Sequence, residues 1–191
     1  MPAIRIARET DAAIIHAIYA PHVTDGAATF ETVLPGADAM CERIRARLPH
    51  YPWLVWEEGG EVLAYAYACR FRERAAYDWI AETSIYVQAA AQGRGIARRL
   101  YGCLLDVLRL QGLTQAVGVI TLPNAASVGL HESMGFEPVG TLWRSGYKSG
   151  RWWDVGVWQK ELQPAAMPPP AVTPFAALAS TTALGQLLDR P

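Results

Sequence analysis

The sequence predicts an α+β domain: a mixed central sheet of about seven strands flanked by about four helices. Three observations carry this expectation. Runs of period-two and period-3.6 hydrophobicity alternate along the chain in the order β-α-α-β-β-β-α-β-α-β-β. Two polar, glycine-bearing breaks, Glu58-Gly59-Gly60-Glu61 and Lys148-Ser149-Gly150, each separate two strand-like runs and read as hairpin turns. Between the third long strand and the longest helical pattern lies Gln92-Gly93-Arg94-Gly95-Ile96-Ala97, a glycine turn that opens directly into the helix.

Each element has its own local reason. Ala3–Arg8 sets Ile4 and Ile6 against polar neighbours and reads as a strand. Thr10-Asp11 caps a helix carrying Ile14, Ile15, Ile18 and Tyr19, which is expected to stop at Pro21. Residues 22–35 are polar and irregular, with Phe30-Glu31 in their middle. Asp38 opens a second helix that ends at Pro49. Trp53–Glu57 and Val62–Phe71 form a strand pair, 72–78 a polar loop, and Trp79–Val87 a further strand. Ile96, Leu100, Cys103, Leu104, Val107 and Leu108 give a helix over about 95–111, ended by Gly112. Ala116–Leu122 is a strand, Asn124 caps a short helix that stops at Gly135, and 137–147 with 151–161 close the pattern as a hairpin.

Beyond residue 162 the composition changes. Six of the 13 prolines lie in 163–191, among many Ala and Thr. This predicts a domain over 1–162 followed by a Pro/Ala-rich tail that is largely disordered, with room for one short helix over Phe175–Leu188.

Composition narrows the function classes. The 191 residues are 51% hydrophobic and carry 17 basic against 18 acidic residues, with no basic stripe, so nucleic acid is not an expected partner. No apolar run has the length to span a bilayer, and Met1–Ile6 lacks the form of a signal peptide. Three scattered cysteines without a Cys-x-x-Cys pair fit a reducing, cytoplasmic setting. His16, His22, His50 and His131 have no metal-ligand spacing, so no metal is expected.

The glycine turn carries chemistry. Backbone N–H groups at a helix start, with glycines that let a ligand approach and Arg94, Arg98 and Arg99 nearby, suit a pyrophosphate. The spacing is neither that of a P-loop nor that of a dinucleotide fingerprint. It resembles the acetyl-CoA loop of the GNAT acyltransferase superfamily. The runs Ala76–Val87, Val119–His131 and Gly146–Trp158 resemble phosphinothricin N-acetyltransferases more closely, and the likeness covers about residues 3–162.

That resemblance implies a GNAT fold and direct transfer of acetyl from acetyl-CoA to the α-amino group of a small amino-acid analogue of the phosphinothricin or methionine sulfoximine type. It also implies a homodimer. The implied acetyl-CoA residues are Ile85, Tyr86, Val87, Gln92, Gly93, Arg94, Gly95, Ile96, Ala97, Arg98, Asn124 and Ser127. An N–H near Val87 is expected to polarise the thioester carbonyl. Glu82 sits mid-strand among apolar neighbours; burial would raise its pKa and suit it to take the substrate's ammonium proton. His131, where many GNAT enzymes have Tyr, is expected either to protonate the thiolate or to assist Glu82. Arg72, Arg74 and Tyr77 are candidates for the substrate's carboxylate and head group, and Glu31, beside Phe30, pairs either with the ammonium or with an arginine. Tyr147, Trp152, Trp153 and Trp158 read as core or dimer packing, with substrate lining from a neighbouring hairpin as the alternative. Acetylation of another amine, a polyamine for example, and a catalytically silent acyl-CoA sensor are the competing readings. Arg72 with Arg74 argues against the first, and the retained Glu82 and His131 against the second.

Overall fold

The computed structural model describes residues 2–189. It holds strands β1 (Ala3–Ile6), β2 (Trp53–Glu58), β3 (Glu61–Arg70), β4 (Ile80–Val87), β5 (Gln115–Leu122), β6 (Glu137–Lys148) and β7 (Arg151–Glu161). Its helices are α1 (Ala12–Thr24), α2 (Ala37–Arg47), α3 (Ile96–Gln111), α4 (Ala125–Ser133), α5 (Phe175–Leu178) and α6 (Thr182–Leu188). The strands form one sheet in the order β1-β2-β3-β4-β5-β7-β6. All neighbours are antiparallel except β4 and β5.

Strand alternation sorts side chains into two cores. On β2 and β3, Leu54, Trp56, Ala64, Ala66 and Ala68 face one side, and Trp53, Val55 and Tyr65 the other. The three alanines leave room for the bulky stripe of α3, where Leu100, Leu104, Val107 and Leu108 are fully buried. The opposite face meets α1 and α2 through Ile15, Ile18, Met40 and Ile44. Helix α3 is bounded by two glycines in left-handed conformation, Gly95 (φ 79°) and Gly112 (φ 93°), and the Gly112 N–H closes the last turn on Leu108 O and Arg109 O.

Three local expectations change. Helix α1 runs through Pro21 to Thr24. Pro21 is exposed and lies in the last turn, so the carbonyl it leaves without a donor belongs to exposed Ala17, where water can serve it, and the Asp25 N–H still closes on Pro21 O. The final hairpin turns on Ser149 (φ 52°) and Gly150 (φ 78°), a two-residue turn whose positive φ values match strand twist. Lys148 is therefore the last residue of β6, and it is buried. Third, the segment after 162 is packed where a largely disordered tail was expected. It holds two short helices, and Phe175 and Leu184, each 1% exposed, join the core beside α3. Backbone bonds from Thr173 to Gln111, Phe175 to His50 and Ala176 to Pro49 tie it down, as does Trp79 Nε1 donating to Pro170 O. A few well-spaced apolar side chains outweigh the unfavourable composition.

Candidate active site

The functional cleft begins where the sheet fails to close. β4 and β5 pair in parallel only over Ile80–Glu82 against Gln115–Val117, then part. Beyond that point Thr83–Val87 and Val119–Thr121 face each other across a cavity of about 560 Å³. Parting leaves the β4 edge with unpaired peptide groups. Gln88 donates its N–H to Leu63 O on the β3 side, so strand alternation turns the N–H groups of Val87 and Ile85 toward the gap. An extended chain carrying amides can lie along that edge as a further strand would.

The cavity floor is the start of α3. Gln92, Gly93, Gly95, Ile96 and Ala97 line it. Gly93 (φ 75°) and Gly95 (φ 79°) hold a conformation L-residues avoid, and a Cβ on either would meet no protein atom within 4 Å. The turn thus presents bare backbone, and the helix N-terminus adds positive potential. Asn124 and Ser127 line the facing wall; the Asn124 side chain caps α4 by accepting the Ser127 N–H at 3.1 Å. Ile85, Tyr86 and Val87 line the cavity as well. Arg94 and Arg98 do not: Arg94 is held by Glu58 at 2.7 Å, and Arg98 is exposed on the far side of the α3 start. A slot with strand-edge amides at one end and a helix N-terminus at the other fits the pantetheine arm and pyrophosphate of acetyl-CoA.

Glu82 lies one residue before the parting, with its side chain on the α1–α2 face. It is half-buried beside Cys69, its register partner on β3. Burial raises its pKa, opposed by the charges of Arg72 and Arg47. Burial and the Glu82 charge push Cys69 up to about 11, so the thiol stays protonated. Tyr65, Tyr67 and Tyr86 share this face and stack, 5.1 Å between the Tyr65 and Tyr86 rings. Arg47 reaches in from the end of α2, 5.1 Å from the Tyr67 ring and 5.6 Å from that of Trp53. Sequence reading missed it, because a basic residue in the last turn of a helix ordinarily serves the helix dipole.

His131 lies on the opposite face. It is 4% exposed, with its ring edge-on to Tyr101 and Phe136 at 5.2 and 5.0 Å. Nδ1 lies 2.8 Å from Ser127 O and 3.5 Å from the Ser127 hydroxyl, and Nε2 3.0 Å from the Tyr101 hydroxyl. The short contact is to a carbonyl, which only accepts, so Nδ1 carries the ring proton and Nε2 faces Tyr101 as an acceptor. Burial lowers its pKa, partly offset by Ser127 O, and keeps the ring neutral. Tyr101 continues to Thr83 Oγ1 at 2.7 Å, and Thr83 reaches Val117 O at 3.0 Å. Glu82 and His131 are therefore separated by the sheet, and both ring nitrogens are engaged within the protein.

The remaining candidates ring the Glu82 face. Arg72 is exposed, its guanidinium 4.2 Å from the Phe71 ring. Arg74 and Tyr77 are exposed in the same loop, with the Tyr77 ring 6.1 Å from Phe71. Glu31 is paired with Arg43 at 2.7 Å. Phe30 packs its ring against Gly146 of β6, where a Cβ would come within 2.1 Å of it. Lys148 donates to Thr29 O (2.8 Å) and His22 O (3.3 Å), fixing this loop to the hairpin. Neither Lys148 nor His22, which lines the cavity, was singled out in the sequence. Among the described residues no group of three His, Cys, Asp or Glu side chains is placed to hold a metal ion, and no helix is long and apolar enough to cross a membrane.

A mixed sheet whose two central strands part over a glycine-opened helix defines an acyl-CoA N-acyltransferase. The chain belongs to the GNAT acetyltransferases: residues 4–157 match the family described as the acetyltransferase (GNAT) domain. It is 38% identical over 167 residues to a phosphinothricin N-acetyltransferase of Streptomyces viridochromogenes, covering 87% of this chain and 91% of that one. It is 37% identical to an L-methionine sulfoximine/L-methionine sulfone acetyltransferase of Salmonella typhimurium, covering 86% and 97%. The crystal structure of a phosphinothricin acetyltransferase from Sinorhizobium meliloti in complex with acetyl-CoA superposes with a TM-score of 0.85 at 34% identity, covering 91% of this chain and 96% of that one. This chain is an N-acetyltransferase.

Proposed function

We propose that the chain acetylates the α-amino group of a small amino acid bearing a tetrahedral, oxygen-rich head, of the phosphinothricin or methionine sulfoximine class, and so detoxifies it. The observation that carries this is the half-buried Glu82 facing Arg47 and Arg72 at the point where β4 and β5 part. A carboxylate with a raised pKa accepts an ammonium proton near neutral pH, and two guanidinium groups beside it suit the acceptor's carboxylate and head.

Acetyl-CoA supplies the activated acetyl group. Ile85 and Val87 take its pantetheine arm along the open β4 edge, with Asn124 and Ser127 opposite, and the turn from Gln92 to Ala97 takes the pyrophosphate. Arg94 and Arg98 add charge from outside the cavity wall. The gap-facing Val87 N–H meets the thioester oxygen as negative charge develops there. On the other face Glu82 removes the first ammonium proton. Arg72, Arg74 and Tyr77 close over the acceptor from the loop before β4; Phe30 and the Glu31–Arg43 pair shape the far rim. His131 acts from the cavity wall, on the face opposite Glu82.

The exposed strip on β6 and β7 supports a homodimer: Leu142 is 57% exposed, Trp143 77% and Trp152 60% on an edge hairpin. Three widely spaced cysteines without a Cys-x-x-Cys pair support a cytoplasmic protein, and the even balance of charge supports small-molecule acceptors rather than nucleic acid.

The test is thiol release from acetyl-CoA across a panel of amino acids and analogues. Turnover of phosphinothricin or methionine sulfoximine, lost in Glu82→Gln, is the expected result. Turnover of some other amine with silence from every tetrahedral-headed analogue refutes the acceptor assignment.

A further inference from the structure

Val117 O, Thr83 Oγ1, Tyr101 OH, His131 and Ser127 O form an unbroken row of four contacts at 3.0, 2.7, 3.0 and 2.8 Å. Both ends are carbonyl oxygens, which cannot donate. With a neutral imidazole, the three side chains own three exchangeable protons for four contacts. One contact is therefore always without a proton. An imidazolium fills all four, with every donor pointing toward a carbonyl. The row is built to take up one proton and give it back.

Thr83, His131 and Ser127 line the cavity, whereas Tyr101 is fully buried and stacks on Phe136 with rings 5.7 Å apart and 11° from parallel. Both His131 nitrogens are already engaged, by Ser127 O and the Tyr101 hydroxyl, so of the row's side chains only Thr83 Oγ1 combines a place on the cavity wall with an uncommitted lone pair. His131 is packed by Tyr101 from α3, Phe136 after α4, and Gly118 of β5, where a Cβ would come within 2.5 Å of the ring. The nearest carboxylate on its own helix, Glu132, turns away to Trp158 Nε1 at 3.4 Å. From β4 it is faced through Tyr101 by uncharged Thr83. No described charged side chain bonds the ring.

We propose that Thr83, Tyr101 and His131 are a proton relay for acetyl transfer, with Thr83 the entrance, Tyr101 a positioning residue and His131 the reservoir. It rests on the acetyltransferase mechanism above. Converting the acceptor's ammonium to an amide releases two protons. Glu82 takes the first. As the C–N bond forms, the second passes to Thr83 Oγ1, which hands its own to Tyr101, which hands its own to His131 Nε2, giving the imidazolium. As the C–S bond breaks, the same shifts run backward and the proton goes to the thiolate sulfur. The relay ends as it began, and the free thiol leaves.

The experiment uses the whole chain with ¹⁵N-labelled histidine. The His131 ring signals, assigned by their loss in His131→Gln, are expected to show Nδ1 protonated and Nε2 bare near neutral pH. An Nε2–H tautomer overturns the relay. In thiol-release kinetics, Tyr101→Phe is expected to lose roughly 10- to 100-fold in kcat with the KM for acetyl-CoA within about twofold. Thr83→Val should lose as much and the double variant little more, because both cut one path. Thr83→Ser, which keeps the hydroxyl, should recover most of the rate and shows that a loss in Thr83→Val is not misfolding. A kcat within about twofold of wild type in Tyr101→Phe overturns the proposal. Should the protein turn over no tetrahedral-headed amino acid, the acceptor assignment fails while the tautomer measurement still decides the relay.

Discussion

Gly118→Ala is a one-carbon change with a calculable consequence. The added Cβ lies 2.5 Å from both Cδ2 and Nε2 of His131, against an ordinary contact distance of at least 3.4 Å. The ring or the strand has to move by about 1 Å. The ring is hemmed by Tyr101 and Phe136 and held at both nitrogens, so moving it breaks the 3.0 Å contact to Tyr101 or the 2.8 Å contact to Ser127 O. Overpacking of this kind costs about 1–3 kcal/mol, and one net hydrogen bond roughly 1 kcal/mol more. For a domain of this size about 3 kcal/mol lowers the melting midpoint by roughly 6–12 °C. Thermal unfolding followed by circular dichroism measures it, with thiol-release kinetics on the same preparation. A midpoint within about a degree or two of wild type, with kcat intact, refutes the claim that His131 is fixed between Gly118 and its two partners.

Further outcomes follow from the same geometry. Glu82→Gln should lower kcat by at least about 100-fold and abolish the ascending acid limb of the pH–rate profile. Its effect on stability has the opposite sign. The Glu82 pKa is raised by burial, so the folded state favours the proton; that contribution is full at acid pH and lost as pH rises through the folded pKa. Glu82→Gln should therefore melt higher than wild type at neutral pH and lose that advantage in acid, which paired melts at two pH values will show. Phe175→Ala should cost about 3–5 kcal/mol in urea unfolding, since a fully buried ring far along the chain is removed from the α3 core. Lys148→Met should raise the KM of the amine acceptor while leaving that of acetyl-CoA unchanged, because it frees the loop at Thr29 and leaves the α3 turn alone.

Much of the fold was legible because period carries direction. The stripe Ile96, Leu100, Leu104, Val107 placed α3, and the alternation on β2 and β3 placed two faces of one sheet. Composition misled at the C-terminus, where prolines hid the spacing of Phe175 and Leu184. Within the site, Glu82 and the glycine turn stand out because each breaks a local rule, a carboxylate in an apolar strand and bare backbone before a helix. Tyr101 breaks none: an aromatic on the apolar stripe of a helix looks like packing, and its hydroxyl becomes visible only when Thr83 and His131 arrive from β4 and α4. Lys148 hid in a turn-like tripeptide, and Arg47 in a helix end.

The parting of β4 and β5 has a thermodynamic corollary. A sheet normally completes its ladder with its own chain; in the binding mode proposed above, the missing rungs are supplied by a molecule that is consumed at every turnover. Folding and cosubstrate supply are thereby linked, since a ligand that binds only the folded state stabilises it by RT ln(1 + [L]/Kd). At a hundredfold excess over Kd that is about 2.7 kcal/mol. Amide hydrogens of Ile85 and Val87 should exchange quickly in the free protein and slow sharply when acetyl-CoA is added. The metabolic state that permits acetylation would thus also preserve the enzyme that performs it.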